Sequence, residues 1–194
     1  MAAGIDPLVA IGAGAGLLVV LVLLSVRRVP QGFEYTLERF GRYRRLLRPG
    51  LHFVLPLTDR IGARQDMRER HLVLEASDML TRDRVTLRVD ATAFWQVQDA
   101  ARASYEVEDL QASLRALLVV SLRTLLGERD LDALLAARAE LNAALLAAAD
   151  DAAGVWGVRL TRTEIGELRP PAALVEAAER ERARLAESRS ERAA

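Results

Sequence analysis

The sequence predicts an α+β fold carried behind an N-terminal transmembrane helix and followed by a C-terminal helix. Three observations lead there. Residues Leu8 to Val26 read LVAIGAGAGLLVVLVLLSV without one charge. From Val85 to Val97, apolar and polar residues alternate with period two, the signature of a sheet strand with one buried face. From Leu110 onward the leucines switch to spacings of three and four, which belong to an amphipathic helix.

The first run is long enough to cross a bilayer. At about 1.5 Å per residue, roughly 19 helical residues span about 28 Å, the thickness of the hydrocarbon core. A cleaved secretory signal would carry cations before a shorter apolar stretch. Here Asp6 precedes the run, and Arg27 and Arg28 follow it. The expected anchor residues are Leu8, Ile11, Leu17, Leu18, Val22, Leu24 and Val26, within a tail-and-anchor segment of residues 1–28. Arginines on the C-terminal side predict a cytoplasmic domain on a single-pass cell-membrane protein. Gly12 and Gly16 have the Gly-x-x-x-Gly spacing that lets two membrane helices approach closely; a helix rich in small residues also shows that spacing by chance.

Composition removes several function classes. Lys+Arg and Asp+Glu number 27 each, so net charge is zero and offers no global attraction to nucleic acid. All 27 cations are arginine, which excludes Schiff-base and P-loop lysine chemistry. The chain contains no cysteine, so thiol nucleophiles, thiolate metal sites and disulfides are excluded as well. Aromatic residues are only 5%, leaving Leu, Val and Ala to build the core. Behind the anchor, the remaining length suits one domain with an appendage or two small subdomains.

In chain order, Phe33, Tyr35 and Leu37 alternate with Glu34, Thr36 and Glu38 as a half-buried strand, which Gly41 interrupts as a turn or bulge. Arg48-Pro49-Gly50 is a tight turn, and Leu51 to Leu55 a short apolar strand stopped by Pro56. Residues 60–76 read as extended, with Leu72, Leu74 and Ala76 on one face. Thr81-Arg82-Asp83 is a turn before the long strand. Leu110, Leu114, Leu117, Leu118, Leu122 and Leu125 mark a helix stopped by Gly127. Asp130 caps a second helix, striped by Leu134, Leu141 and Leu145 and ending near Gly154. A last strand runs from Val158 to Ile165, and Pro170-Pro171 terminates it. The final segment, rich in Ala, Glu and Arg, reads as a helix with i,i+4 pairs such as Glu176 and Arg180. Its thin seam of Leu174, Ala178 and Leu185 suits either a solvated helix or weak coiled-coil contact between copies.

Few residues have the setting that chemistry needs. His52 sits in an apolar strand without a nucleophile elbow and reads as structural. His71 has no assigned role. No carboxylate pair lies in an apolar stretch, and Asp150 and Asp151 close a helix at its unfavourable end for anions. No catalytic, cofactor-binding or metal-ligating residue is expected. The informative cluster is basic: Arg27, Arg28, Arg42, Arg44 and Arg45 begin where the hydrocarbon would end, a position suited to lipid headgroups. A solvated strand face and a nucleic-acid patch, suggested by the interleaved Phe40 and Tyr43, are the alternatives.

Taken together, these pieces resemble the SPFH (band 7) superfamily, the stomatin, prohibitin and flotillin group, and most closely its bacterial stomatin-like (slipin) members. The resemblance rests on Val29-Pro30-Gln31-Gly32, Arg39-Phe40-Gly41-Arg42 and the run from Arg48 to Pro56. It continues through Thr81 to Val85, Leu122-Arg123 to Gly127 ahead of Asp130-Leu131, Trp156-Gly157-Val158 and Pro170-Pro171. It implies an SPFH domain over residues 29–168, with an antiparallel sheet, helices and a second small α/β lobe, and the start of a coiled coil over residues 169–194. It also implies no enzymatic activity, no cofactor, and ring-like or cage-like homo-oligomers that organise a lipid microdomain and modulate membrane proteins. A second implied role is regulator or adaptor of a membrane protease of the FtsH or NfeD-partner type. A hydrolase, motivated only by His52 and nearby carboxylates, is the weakest reading. Family members continue as a long coiled coil, whereas about 20 residues of that helix are present here, so the sequence is either a piece of a longer chain or a short member.

Overall fold

The computed structural model describes residues 7–171 and residue 180. The chain divides into two compact units that interleave in sequence. The first takes the residues up to Arg68 together with Val97–Glu108, and the second takes Glu69–Gln96 and the chain from Asp109 onward. The lobes are therefore not consecutive, because residues 97–108 return to the first unit.

Unit 1 begins with α1 (Pro7–Ser25), 19 residues without a charge. The helix ends one residue before the expected anchor does, because Val26 opens a strand instead. The Ser25 hydroxyl donates back to the Leu21 carbonyl at 2.6 Å, and the Ser25 carbonyl accepts the Val54 N–H at 2.8 Å. Two polar groups at the helix end are thus satisfied within the unit. β1 (Val26–Val29) then pairs antiparallel with β4 (Gly50–Phe53), setting Val26 opposite Phe53 and Arg28 opposite Leu51.

A second sheet has the order β3-β2-β5, built from β2 (Phe33–Arg39), β3 (Arg42–Leu47) and β5 (Asp59–Asp66). β3 is the strand that periodicity does not announce. Its sequence RYRRLL is exposed at its first four positions, and a register shift opposite Leu37 and Glu38 leaves Arg44 as the extra, bulged residue. The small core of this unit is Val29, Leu37, Leu47 and Val54, with Phe33 and Tyr35 packed against it. A second irregularity lies between β2 and β5, where the fully buried Thr36 accepts the Ala63 N–H on its hydroxyl at 2.8 Å. Short α2 (Ala100–Tyr105) is capped by Asp99, whose carboxylate accepts from the N–H groups of Ala101 and Arg102. It brings the Tyr105 hydroxyl to 2.8 Å from Glu38 Oε1 and 3.0 Å from Thr36 Oγ1. Burial is the first cause that raises the Tyr105 pKa above the ordinary phenol value. The Glu38 carboxylate lies where a Cβ on Gly62 would stand, so glycine at 62 makes room for this contact.

Unit 2 is a three-stranded sheet, β6 (Arg70–Leu80), β7 (Thr86–Val97) and β8 (Val158–Arg169), in the order β6-β7-β8. β6 and β7 are antiparallel. Arg162 lies over Phe94 while Gly166 abuts Asp90, so β8 also runs against β7. The long alternation is observed: Leu87, Val89, Ala91, Ala93, Trp95 and Val97 are buried. On β6, Leu72 and Leu74 face inward as expected, but Ala76 does not. A bulge between Leu74 and Ser77 shifts the register and turns Met79 inward in its place.

α3 (Leu110–Gly127) buries Leu114, Leu118, Leu122 and Leu126. By length and apolar composition it qualifies as a membrane span, yet this leucine stripe packs in unit 2, against β6 and a later helix over Arg138–Gly154, and Arg115 and Arg123 are exposed. Gly127 is the last residue of α3 and does not stop it by a left-handed turn, since the capping Glu128 keeps a right-handed φ of −87°. The expected second helix is split at Ala137 into α4 (Leu131–Ala136) and α5 (Arg138–Gly154). Asp130 stands at the N-cap of α4 without capping it, because its carboxylate is engaged by Arg82. Asp150 also finds its reason: its Oδ1 accepts the Leu160 N–H at 2.8 Å, and Asn142 Oδ1 does the same for Ile165 at 2.9 Å. Side chains of α5 thereby cover donors of β8. The expected C-terminal helix, with Leu174, Ala178 and Leu185, lies outside the described residues.

Gly62→Ala is expected to push Glu38 off Tyr105 and to cost about 1–2 kcal/mol in urea denaturation. The Tyr105 hydroxyl would also stand 2.8 Å from the new Cβ, so in a Glu38→Ala/Tyr105→Phe background the same substitution should add no further loss, which distinguishes these contacts from a general backbone effect.

Candidate membrane interface

The residues at the foot of α1 are unusual for a small folded unit. Leu51 is 73% exposed, Phe53 70%, Leu57 89% and Phe40 81%. The strand expected at Leu51 to Leu55 is real over Gly50–Phe53 but does not serve as core. Only Val54 in this run is buried. In the β1–β4 ribbon, directly opposed residues share a face, so Val26, Phe53, Arg28 and Leu51 form one open face leading straight from the helix.

Phe40 is held there against its own preference. With Gly41 it forms the two-residue turn between β2 and β3, and the two have φ of 50° and 77°. Such a turn needs φ > 0 at both central positions and favours Asn-Gly. A bulky residue in that region is an outlier whose strain costs about 1–2 kcal/mol. No burial among the described residues offsets it.

The segment carrying Leu55 and Leu57 is tied down by Asp59. Its carboxylate accepts two hydrogen bonds from Arg39, at 2.5 and 3.0 Å, and one from the Leu55 N–H at 3.2 Å. The Asp59 side chain is only 3% exposed. The Arg39 guanidinium, against the opposing effect of burial, holds its carboxyl down to about 2. His52 is equally structural, its Nε2 lying 2.6 Å from the Arg48 carbonyl.

The arginines divide into two groups. Arg27 and Arg28, on β1, line an open cleft of about 920 Å³ together with Arg60 and Arg64 of β5, and with Leu24, Phe40 and Leu57. Arg44 and Arg45 of β3 lie apart, beside Phe53 and Leu55, and one Arg45 Nη2–H donates to the Phe53 carbonyl at 3.2 Å. Arg42, also exposed, is in neither cleft. Arg60 and Arg64 are absent from the sequence expectation. No local signal carries them, because the register shift between Ile61 and Arg64 breaks the alternation of β5, and their place in one cleft emerges only from the folded unit. Of the expected anchor, Leu8, Ile11, Leu17, Leu18, Val22 and Leu24 belong to α1, while Val26 belongs to β1. Gly12 and Gly16 are exposed on α1, with open space where a Cβ would stand.

A model of the SPFH domain / Band 7 family matches residues 27–194. The chain belongs to that family. It is 37% identical over 176 residues to an uncharacterized protein of Schizosaccharomyces pombe, covering 87% of this chain and 50% of that protein. Human stomatin-like protein 2, mitochondrial, is 35% identical over 171 residues, which is 84% of this chain and 48% of the relative. An uncharacterized protein of Mycobacterium tuberculosis is 34% identical over 169 residues, covering 82% and 44%. The chain thus spans about half the length of the curated relatives it matches, and these similarities agree with the stomatin-like motifs.

Two outcomes follow from this geometry. Phe40→Asn should relieve the turn and raise stability by about 1 kcal/mol in thermal or urea unfolding. Asp59 is ionised down to about pH 2 in the folded unit, whereas its unfolded reference is 3.8. Its contribution to stability is therefore complete above about pH 4 and disappears as pH falls toward about 2. The stability difference between the natural chain and Asp59→Asn should narrow across that window in denaturation curves taken at several pH values.

Proposed function

We propose that the chain is a non-enzymatic scaffold of a cell membrane. α1 crosses the bilayer once, unit 1 lies against the cytoplasmic leaflet, and copies associate to organise the membrane patch around them. The observation that carries this reading is the junction at Ser25 and Val26. An uncharged helix of spanning length passes without a linker into a ribbon whose open face is apolar and basic. Exposed Phe40, Leu51, Phe53 and Leu57 would each gain about 1.5–3 kcal/mol on full removal from water, and the headgroup region offers part of that gain. Arginines beside them suit an anionic surface. The cytoplasmic side follows from Arg27 and Arg28 at the C-terminal flank.

Self-association is supported by Gly12 and Gly16 on the open side of α1 and by family membership. The modulation of other membrane proteins, a membrane protease among them, rests on family membership alone.

Alkaline carbonate extraction should leave the full chain in the membrane pellet, and release into the supernatant would contradict the anchor. The chain contains neither lysine nor cysteine, so one introduced cysteine gives an unambiguous crosslinking site. With a cysteine at exposed Val155 and a bifunctional thiol–photoreactive reagent, membranes should yield species beyond a dimer, and a strictly monomeric pattern would remove the scaffold reading.

A further inference from the structure

The cleft at the foot of α1 carries more positive charge than the unit itself uses. Four arginines are among its lining residues: Arg27, Arg28, Arg60 and Arg64. The only carboxylate lining it, Asp59, is already bound through two hydrogen bonds to Arg39, which is not part of the lining. Among the described residues, none of Arg27, Arg28 and Arg60 forms an ion pair, and Arg64 has only the face of Tyr35, 5.2 Å from its guanidinium carbon. Like charges gathered in one concave place repel, and an anion among them removes that cost. Arginine also matches phosphate oxygens through paired N–H donors.

The remainder of the lining says what kind of anion. Leu24, Phe40 and Leu57 share the cleft with the arginines and are exposed. A small soluble anion has no use for these side chains, whereas a phospholipid presents a phosphate and acyl chains side by side. Leu24 belongs to α1 itself, so the apolar wall continues into the helix proposed to cross the bilayer. The cleft is open and its volume of about 920 Å³ is enough for a lipid headgroup and the start of its chains.

We propose that this cleft holds one anionic phospholipid, its phosphate among Arg27, Arg28, Arg60 and Arg64 and its acyl chains along Leu24 and Leu57. The proposal rests on the membrane reading above and goes beyond it. A diffuse basic belt attracts a leaflet, but a cleft of this composition selects a single lipid and keeps it.

The test is native mass spectrometry of the full chain released from nanodiscs of phosphatidylcholine containing a minority of phosphatidylglycerol. The natural chain should retain one phosphatidylglycerol in preference to phosphatidylcholine, a readout that needs no variant. Arg60→Gln/Arg64→Gln should lower that retention about thirtyfold, the effect of two arginines at the usual increment beside anionic lipid. The charge-matched pair Arg88→Gln/Arg159→Gln, exposed in unit 2, should leave it unchanged. Equal losses in both pairs, or no preference in the natural chain, would overturn the cleft. Displacement of the lipid by millimolar inorganic phosphate would overturn it too, marking a site for free phosphate. Carbonate extraction of the same samples separates the two levels: a chain that stays in the membrane but keeps no phosphatidylglycerol defeats the cleft alone. A chain that is released defeats the membrane reading first.

Discussion

The structure of unit 1 depends on how the chain leaves α1. Helix and sheet meet at Ser25 and Val26 with no residue between them, and the last helical carbonyl is used as an acceptor by Val54 of the facing segment. The helix end is therefore part of the β1–β4 arrangement rather than a tether to it. That sets where everything else in the unit can stand. Arg28 and Leu51 are placed side by side by register, Phe53 faces Val26, and the segment from Leu55 to Asp59 follows immediately. A flexible linker at the same position would leave the exposed apolar residues free to turn away from a bilayer. Here their distance from the helix end is determined by hydrogen bonds.

The two units solve one packing problem in the same way. In unit 1 the Glu38 carboxylate occupies the space over Gly62, and in unit 2 the Asp90 carboxylate occupies the space over Gly166. In each case an acidic side chain lies across the adjacent strand, where any side chain on that strand would collide with it. Asp90 also accepts the Glu167 N–H at 3.3 Å, and Glu38 meets the Tyr105 hydroxyl. These carboxylates act as fasteners of sheet and helix, consistent with a family scaffold in which charge serves architecture. The strain at Phe40 is of another kind. It has no visible structural return, and that pattern belongs to sites where the surroundings hold a residue out for use.

Much of unit 2 is legible in the sequence because its cues are strong and local. Thirteen residues of alternation from Val85 to Val97 and leucines at helical spacing from Leu110 leave little choice of element. What stays hidden is decided by distant partners. Asp130 is an ideal cap by position, yet Arg82, 48 residues away in sequence, takes its carboxylate. Asp150 looks misplaced on α5 until β8 arrives to use it. β3 has no apolar alternation because it is an exposed edge, so its arginines read as a belt rather than a strand. The same limit hides the candidate site. Arg27 and Arg28 announce themselves by following the anchor, whereas Arg60 and Arg64 join them only through the pairing of β5 with β2. Leu51, Phe53 and Leu55 look like core until the folded unit leaves all three exposed.

The central claim is that this ribbon and its neighbouring turn lie in the headgroup region. Since the chain has no cysteine, Leu57→Cys gives one spin-label position, and Val22→Cys in α1 gives the membrane reference. In liposomes, collision with lipid-soluble oxygen should exceed collision with a water-soluble nickel chelate at both positions, with the label at 57 shallower than the label at 22. A label at 57 that meets the nickel chelate as freely as one in water, while the label at 22 remains protected, would show that unit 1 stands off the bilayer and would contradict the account.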